Sequence, residues 1–326
     1  MTSSVPPADA TPGLGPGSPA SGAGGTRPVP TVLAPHPERP AFRHRLGLRP
    51  LDPSAWIVVD DGLAAALALK EALLAERHDE VVAAVPGSEP AGIELVHALR
   101  AHLLADHPGH YRAAGDGVEV LAKGRVIPLA TPGRHGIDTA GRLVQEDLCL
   151  LDDGAGEPVL VAASLCSPNR WRLADKIGRD MLAVHEPVPG YAAQIGATVD
   201  ATLQRLTPDR PVWRANWGIA DDEALFQPSP PPPLEGLDDP AEAAARLWLR
   251  VERQTLRRLP RTGVIVFTIR TFQTRLADLA GQAATAAGLL GAVTQLPPDV
   301  ARYKNVAPYA DAVLRWLARC AEPAGS

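Results

Sequence analysis

Residues 143–191 read LVQEDLCLLDDGAGEPVLVAASLCSPNRWRLADKIGRDMLAVHEPVPGY, and the fold turns on this stretch. Leu143 to Leu151 is apolar enough for a strand, and so is Val159 to Cys166. Between them Asp152-Asp153-Gly154-Ala155-Gly156 supplies residues that turns use, so the two runs predict a hairpin. A loop follows, and then the spacing predicts a helix that ends at His185. Leu173, Ile177 and Met181 recur every four residues and share one face of it. His185 falls on or near the same stripe, and Pro187 pushes Glu186 out of the helical region, which stops the helix. Two readings of His185 are open at this point: a ligand for a buried flat cofactor, or a capped, hydrogen-bonded structural histidine.

The chain has 326 residues, 45% hydrophobic and 21% charged, which suits a globular protein able to bury a core without staples. Its net charge of −5 gives no reason to expect nucleic acid or an anionic membrane as a partner. No apolar run approaches the ~20 residues of a membrane helix, and the N-terminus lacks the pattern of a secretory signal. Three cysteines, Cys149, Cys166 and Cys320, form no close pair, so neither an iron–sulfur cluster nor a zinc knuckle is encoded. The expected residence is cytoplasmic.

Residues 1–40 are rich in Pro, Gly, Ser and Ala and read as a disordered tail. Residues 41–320 read as one domain, and 321–326 as a loose end. Trp56 to Val59 is expected to be a short strand or a buried extended run. Leu63 to Arg77 and Ala91 to Leu104 are expected helices. His97, His102, His107 and His110 cluster in sequence, but no acidic or cysteine ligand stands at a matching spacing, so a polar helix end is the reading. Further on come a short helix over Val199 to Leu206 and three strands. In Val212 to Ile219, Trp213, Ala215 and Trp217 face one way, and Val212, Arg214 and Asn216 the other. Leu247 to Leu256 alternates again, and Val264 to Phe272 is the last strand. Helices over Leu276 to Leu290 and Ala310 to Leu317 close the chain.

A hairpin, a helical crossover and a three-stranded meander predict an α+β protein: one five-stranded antiparallel sheet with helices on one face, the PAS-like architecture, over about residues 140–275. Helical extensions are expected on both sides. Such a fold has a pocket between sheet and crossover helix.

Six strings stand out, in this order along the chain: Val144-Gln145-Glu146-Asp147-Leu148, Ser167-Pro168-Asn169-Arg170-Trp171, Lys176-Ile177-Gly178, His185-Glu186-Pro187-Val188-Pro189, Arg214-Ala215-Asn216-Trp217, and Arg250 through Pro260. Together they resemble the α subunit of haem-dependent oxidative N-demethylase, over roughly residues 42–318. The resemblance implies haem b in a PAS fold and removal of a methyl group from a small secondary amine such as dimethylamine, with O₂ as oxidant. Electrons would come from NADPH through partner subunits carrying flavin and an iron–sulfur cluster. This chain has no GxGxxG fingerprint and no cysteine cluster, which agrees with that division of labour.

Residue by residue, the resemblance makes His185 the axial haem ligand and Arg214 a donor to bound dioxygen, with Asn216 a second candidate on the same face. Glu252 is a candidate acceptor for the protonated amine, though Arg250, Arg253 and Arg257 are near enough to make it a structural ion pair. Arg170, Arg172 and Lys176 are candidates for the haem propionates or a solvated basic loop, and Trp171 and Trp217, with Trp213, for the cofactor wall or the core. The competing functions are a non-enzymatic haem or gas sensor and a scaffold subunit without haem. The absence of a kinase or DNA-binding module in the sequence favours the enzyme.

Overall fold

The computed structural model describes residues 45–154 and 156–322. The expected tail at 1–40 and residues 323–326 lie outside the described residues. The N-terminal half runs β1 (Arg49–Pro50), α1 (Leu63–Glu76), α2 (His78–Val81), β2 (Val82–Ala84), α3 (Glu89–Asp106), β3 (Tyr111–Ala114), β4 (Gly117–Val120), β5 (Arg125–Pro128) and α4 (Gly136–Gly141). The hairpin β6 (Asp147–Asp152) and β7 (Val159–Ser164) follows, then the crossover with α5 (Met181–Val184) and α6 (Ala197–Gln204). The meander is β8 (Val212–Ala220), β9 (Trp248–Arg258) and β10 (Ile265–Arg275), with α7 (Pro240–Arg246) between its first two strands. Helices α8 (Ala283–Thr294), α9 (Pro298–Tyr303) and α10 (Ala310–Ala321) end it.

The main sheet is antiparallel throughout, in the order β1-β8-β9-β10-β6-β7-β2. The five expected strands are thus consecutive within it, but β1 and β2 extend it to seven, two more than the sequence led us to expect. Both added strands are only two or three residues long, too short to show any alternation. A second sheet, β3-β4-β5, makes the N-terminal extension more than helical.

Alternation assigns the faces. Leu148 and Leu150 pack with Leu63 and Leu67 of α1 and Leu95 and Leu99 of α3. Cys149 and Leu151 point the other way, against Leu173, Met181 and Leu203 of the crossover. Helices therefore cover both faces, not one. At the β8–β9 end, Ile219, Leu249 and Val251 join a third cluster with α7, α8 and α10. The opposite face of those strands carries Arg214, Asn216, Arg250 and Glu252 instead.

Of the two readings of Trp56 to Val59, the strand does not form: Trp56 and Ile57 are buried, and Val58 and Val59 half-buried, in a run whose backbone is satisfied by side chains. His102 Nε2 accepts from Ile57 N (3.3 Å) and Glu146 Oε1 from Val58 N (2.8 Å). His107 Nε2 donates to the Ile57 carbonyl at 3.1 Å. Two of the four clustered histidines, His102 and His107, thus clamp a backbone segment. The long helix before His185 is replaced by a single 3₁₀ turn, Leu173–Asp175, and the four-residue α5. Gly178, at φ 75°, interrupts the helical path, and Asp180 starts a fresh turn by accepting from Ala183 N at 2.7 Å. Leu173 and Met181 still reach one apolar cluster, so the spacing located a face without locating a helix.

Candidate functional site

On β8 and β9 the register pairs Arg214 with Gln254 and Asn216 with Glu252, so these four side chains share the polar face. Arg214 Nε is buried with no hydrogen-bond partner. Burial pulls the guanidinium's pKa down, while Glu252, Tyr191 and Tyr303 favour its charge. An unpaired buried donor is costly unless something outside the fold receives it. Glu252 is not free to match it. Its carboxylate accepts from Gln254 Nε2 at 3.0 Å and lies 3.6 Å from Arg250 Nε. Asn216 Oδ1 accepts from Lys304 Nζ at 3.0 Å, and the same ammonium donates to the Trp217 carbonyl at 2.6 Å. Burial pushes Lys304 down to about 8.

Tyr303 and Lys304 were not legible as site residues. They close α9, Tyr303 as its last residue and Lys304 just after it, far along the chain, where no periodic pattern aims them at β8. The one signal was Asn305, a residue that tolerates the left-handed conformation and here sits at φ 55°, turning the chain against the β8 edge.

His185 closes α5. Its Nδ1 lies 2.8 Å from the Met181 carbonyl. A carbonyl only accepts, so Nδ1 carries the proton and Nε2 keeps its lone pair. Desolvation holds the imidazole below its ordinary pKa, and Arg214 and Lys176 add repulsion, so the ring is neutral near pH 7. Lys176 Nζ donates to the Val184 carbonyl at 2.6 Å, fixing the turn beside it. His185 lines a surface cleft of about 580 Å³ with Leu182, Val188 and Tyr191.

The remaining sequence candidates fall elsewhere. Arg170 pairs with a buried carboxylate. Its Nη2 is 2.6 Å from Asp221 Oδ1, and Asn305 and Tyr309 bond the other oxygen. Lys176 likewise spends its ammonium on the Val184 carbonyl. Arg172 is exposed beside the 3₁₀ turn. Trp171 packs on the crossover cluster and Trp217 on the C-terminal one. Trp217 points to the opposite face from Arg214, so the two do not line one wall.

The set offers one neutral imidazole lone pair and one unpaired guanidinium. Among the described residues no three His, Cys, Asp or Glu side chains gather as a cage for a bare metal ion. Haem, when bound, would ask the protein for a nitrogen donor, and His185 Nε2, left with its lone pair by the Nδ1 contact to the Met181 carbonyl, would fit that need. No helix among the described residues is long and apolar enough to cross a membrane. The family model described as haem-dependent oxidative N-demethylase, alpha subunit-like, matches residues 47–314, and with most of its length inside that match the chain belongs to this family.

Proposed function

We propose that this chain is the haem-holding subunit of an oxidative N-demethylase for small secondary amines of the dimethylamine type. Its five consecutive strands β8-β9-β10-β6-β7 and their crossover are read as a PAS-like core within one haem-binding domain over residues 41–320. Separate subunits carrying flavin and an iron–sulfur cluster would deliver electrons from NADPH. All three cysteines are free and buried, which agrees with a reducing cytoplasm.

The observation that carries the reading is the fixed tautomer of His185, with Nδ1–H on the Met181 carbonyl and Nε2 unspent. Haem b, when bound, supplies the oxidation in which a secondary amine, O₂, two electrons and two protons give the demethylated amine, formaldehyde and water. The chain's own contributions follow from its residues. His185 Nε2 would hold the group. Arg214 presents a charge-assisted donor on the polar face, where negative charge on oxygen is best received. Glu252, already partnered, contributes a negative field toward an ammonium substrate rather than a free carboxylate. Asn216 anchors Lys304.

The test is a titration with haemin, reading the Soret band per mole of protein after desalting. Wild type should retain the band and His185→Ala should lose most of it with the fold intact. An unchanged band in His185→Ala would move the ligand to another residue. Formaldehyde release from dimethylamine, with a chemical reductant and O₂, separates the enzyme from a haem sensor.

A further inference from the structure

We infer that Tyr191 is a positioning residue for the His185 imidazole, a role that rests on the haem reading above. The two rings are stacked, with centroids 4.3 Å apart and planes within 9°. A single hydrogen bond at Nδ1 chooses which nitrogen is free, but it leaves the ring able to swing about the N···O axis. A flat face laid against the imidazole removes that freedom. Helix α5 cannot do so alone, since it has only four residues.

The loop between the rings is shaped for the purpose. Val188 N donates to the His185 carbonyl at 2.8 Å and Tyr191 N to the Val188 carbonyl at 3.1 Å. Gly190, at φ 72°, completes the reversal, and a wide π turn, Ala192–Gly196, follows directly. Pro187 and Pro189 stiffen the connection. The tyrosine ring is brought back over a residue six positions earlier, and Tyr191 itself is 4% exposed.

Its hydroxyl is a separate matter. The oxygen is buried and has no hydrogen-bond partner, so the fold gains nothing from it. The ring, not the hydroxyl, is the part that touches His185.

The experiment uses the full chain with three substitutions. Tyr191→Phe keeps the ring, Tyr191→Leu removes it, and Tyr191→Met refills the volume without a flat face in case the leucine variant fails to fold. Haemin affinity should stay within about twofold for Phe and fall roughly tenfold for Leu or Met. Exogenous imidazole should restore the Soret band of His185→Gly, and adding Tyr191→Met should raise the concentration it needs. A measurement independent of haem is the ¹³C–¹H resonance of the His185 ring in the unloaded chain. It should be shifted upfield by the facing ring in wild type and Tyr191→Phe, and released in Tyr191→Met. Equal haemin affinity for Met and wild type would overturn the role, as would an unshifted His185 resonance in wild type. Phe as damaging as Met would assign the effect to the hydroxyl instead. A wild-type chain that takes no haemin would sink the haem reading alone, leaving the resonance to decide the stacking.

Discussion

Two arginines stand on the same face of the main sheet, and the structure treats them in opposite ways. Arg258, near the end of β9, donates to both Asp153 oxygens (2.8 and 2.7 Å) and to the carbonyls of Leu203, Leu206 and Gly263. It ties the hairpin turn, the end of α6 and the β9–β10 connection into one knot. Arg214, on β8, is buried without a partner at Nε. One end of the face is finished by the chain itself. The other keeps a buried donor, Arg214 Nε, that the chain leaves without a partner.

Removing each arginine should expose the contrast. Arg258→Met leaves a carboxylate and three carbonyls short of a donor, and should lower unfolding free energy by about 3 kcal/mol in urea titrations. Arg214→Met severs no such bond, so the unloaded chain should stay within about 1 kcal/mol of wild type. A loss matching that of Arg258 would mean that the two ends are alike. The same Arg214 variant should slow formaldehyde release by roughly tenfold or more, the worth of a charge-assisted hydrogen bond.

Smaller effects sharpen the picture. Tyr191→Phe deletes an orphaned buried hydroxyl and should stabilise the unloaded chain by up to about 1 kcal/mol; a fall in melting temperature would show that the hydroxyl has a partner. The last test is pH. The Arg258 hydrogen bond holds Asp153 below its ordinary value of 3.8. A carboxylate with a lowered folded pKa contributes its stability above the unfolded pKa and loses it as pH falls through the folded one. The stability gap between wild type and Asp153→Asn should therefore be full near neutrality and narrow below about pH 4. A gap that does not change with pH would mean the pair is not the source.

The finished parts of the molecule were largely legible in the sequence. Alternation in Val212 to Ile219 placed Arg214 and Asn216 on one face and Trp213 and Trp217 on the other, because a strand has only two sides. Helix α1 was readable from its Ala- and Leu-rich run. The three-stranded β3-β4-β5 sheet was not, since its strands have four residues each, although Gly115-Asp116-Gly117 stood as a turn signal. The crossover failed for a different reason. Leu173, Ile177 and Met181 keep helical spacing, but a glycine in the left-handed region and a capping aspartate break the path between them. Tyr191 was missed because its relation to His185 runs through a proline-stiffened reversal, which has no period. Lys304 approaches from a segment remote in sequence, and pattern reading sees only neighbours along the chain.

Asp221 holds a further consequence. Among the described residues, the non-glycine positions with positive φ are Arg170, at 62°, and Asn305, at 55°. Both side chains end on this one carboxylate, which is joined by the Tyr309 hydroxyl. Left-handed backbone at such residues costs on the order of 1 kcal/mol or more and persists only where its surroundings over-determine it. Two bent stretches of chain, one opening the crossover and one leading into α10, are thus wound against a common peg. Neutralising or shortening that peg would loosen both at once, so the entrance to the crossover and the approach to the C-terminal helix share one buried fastening.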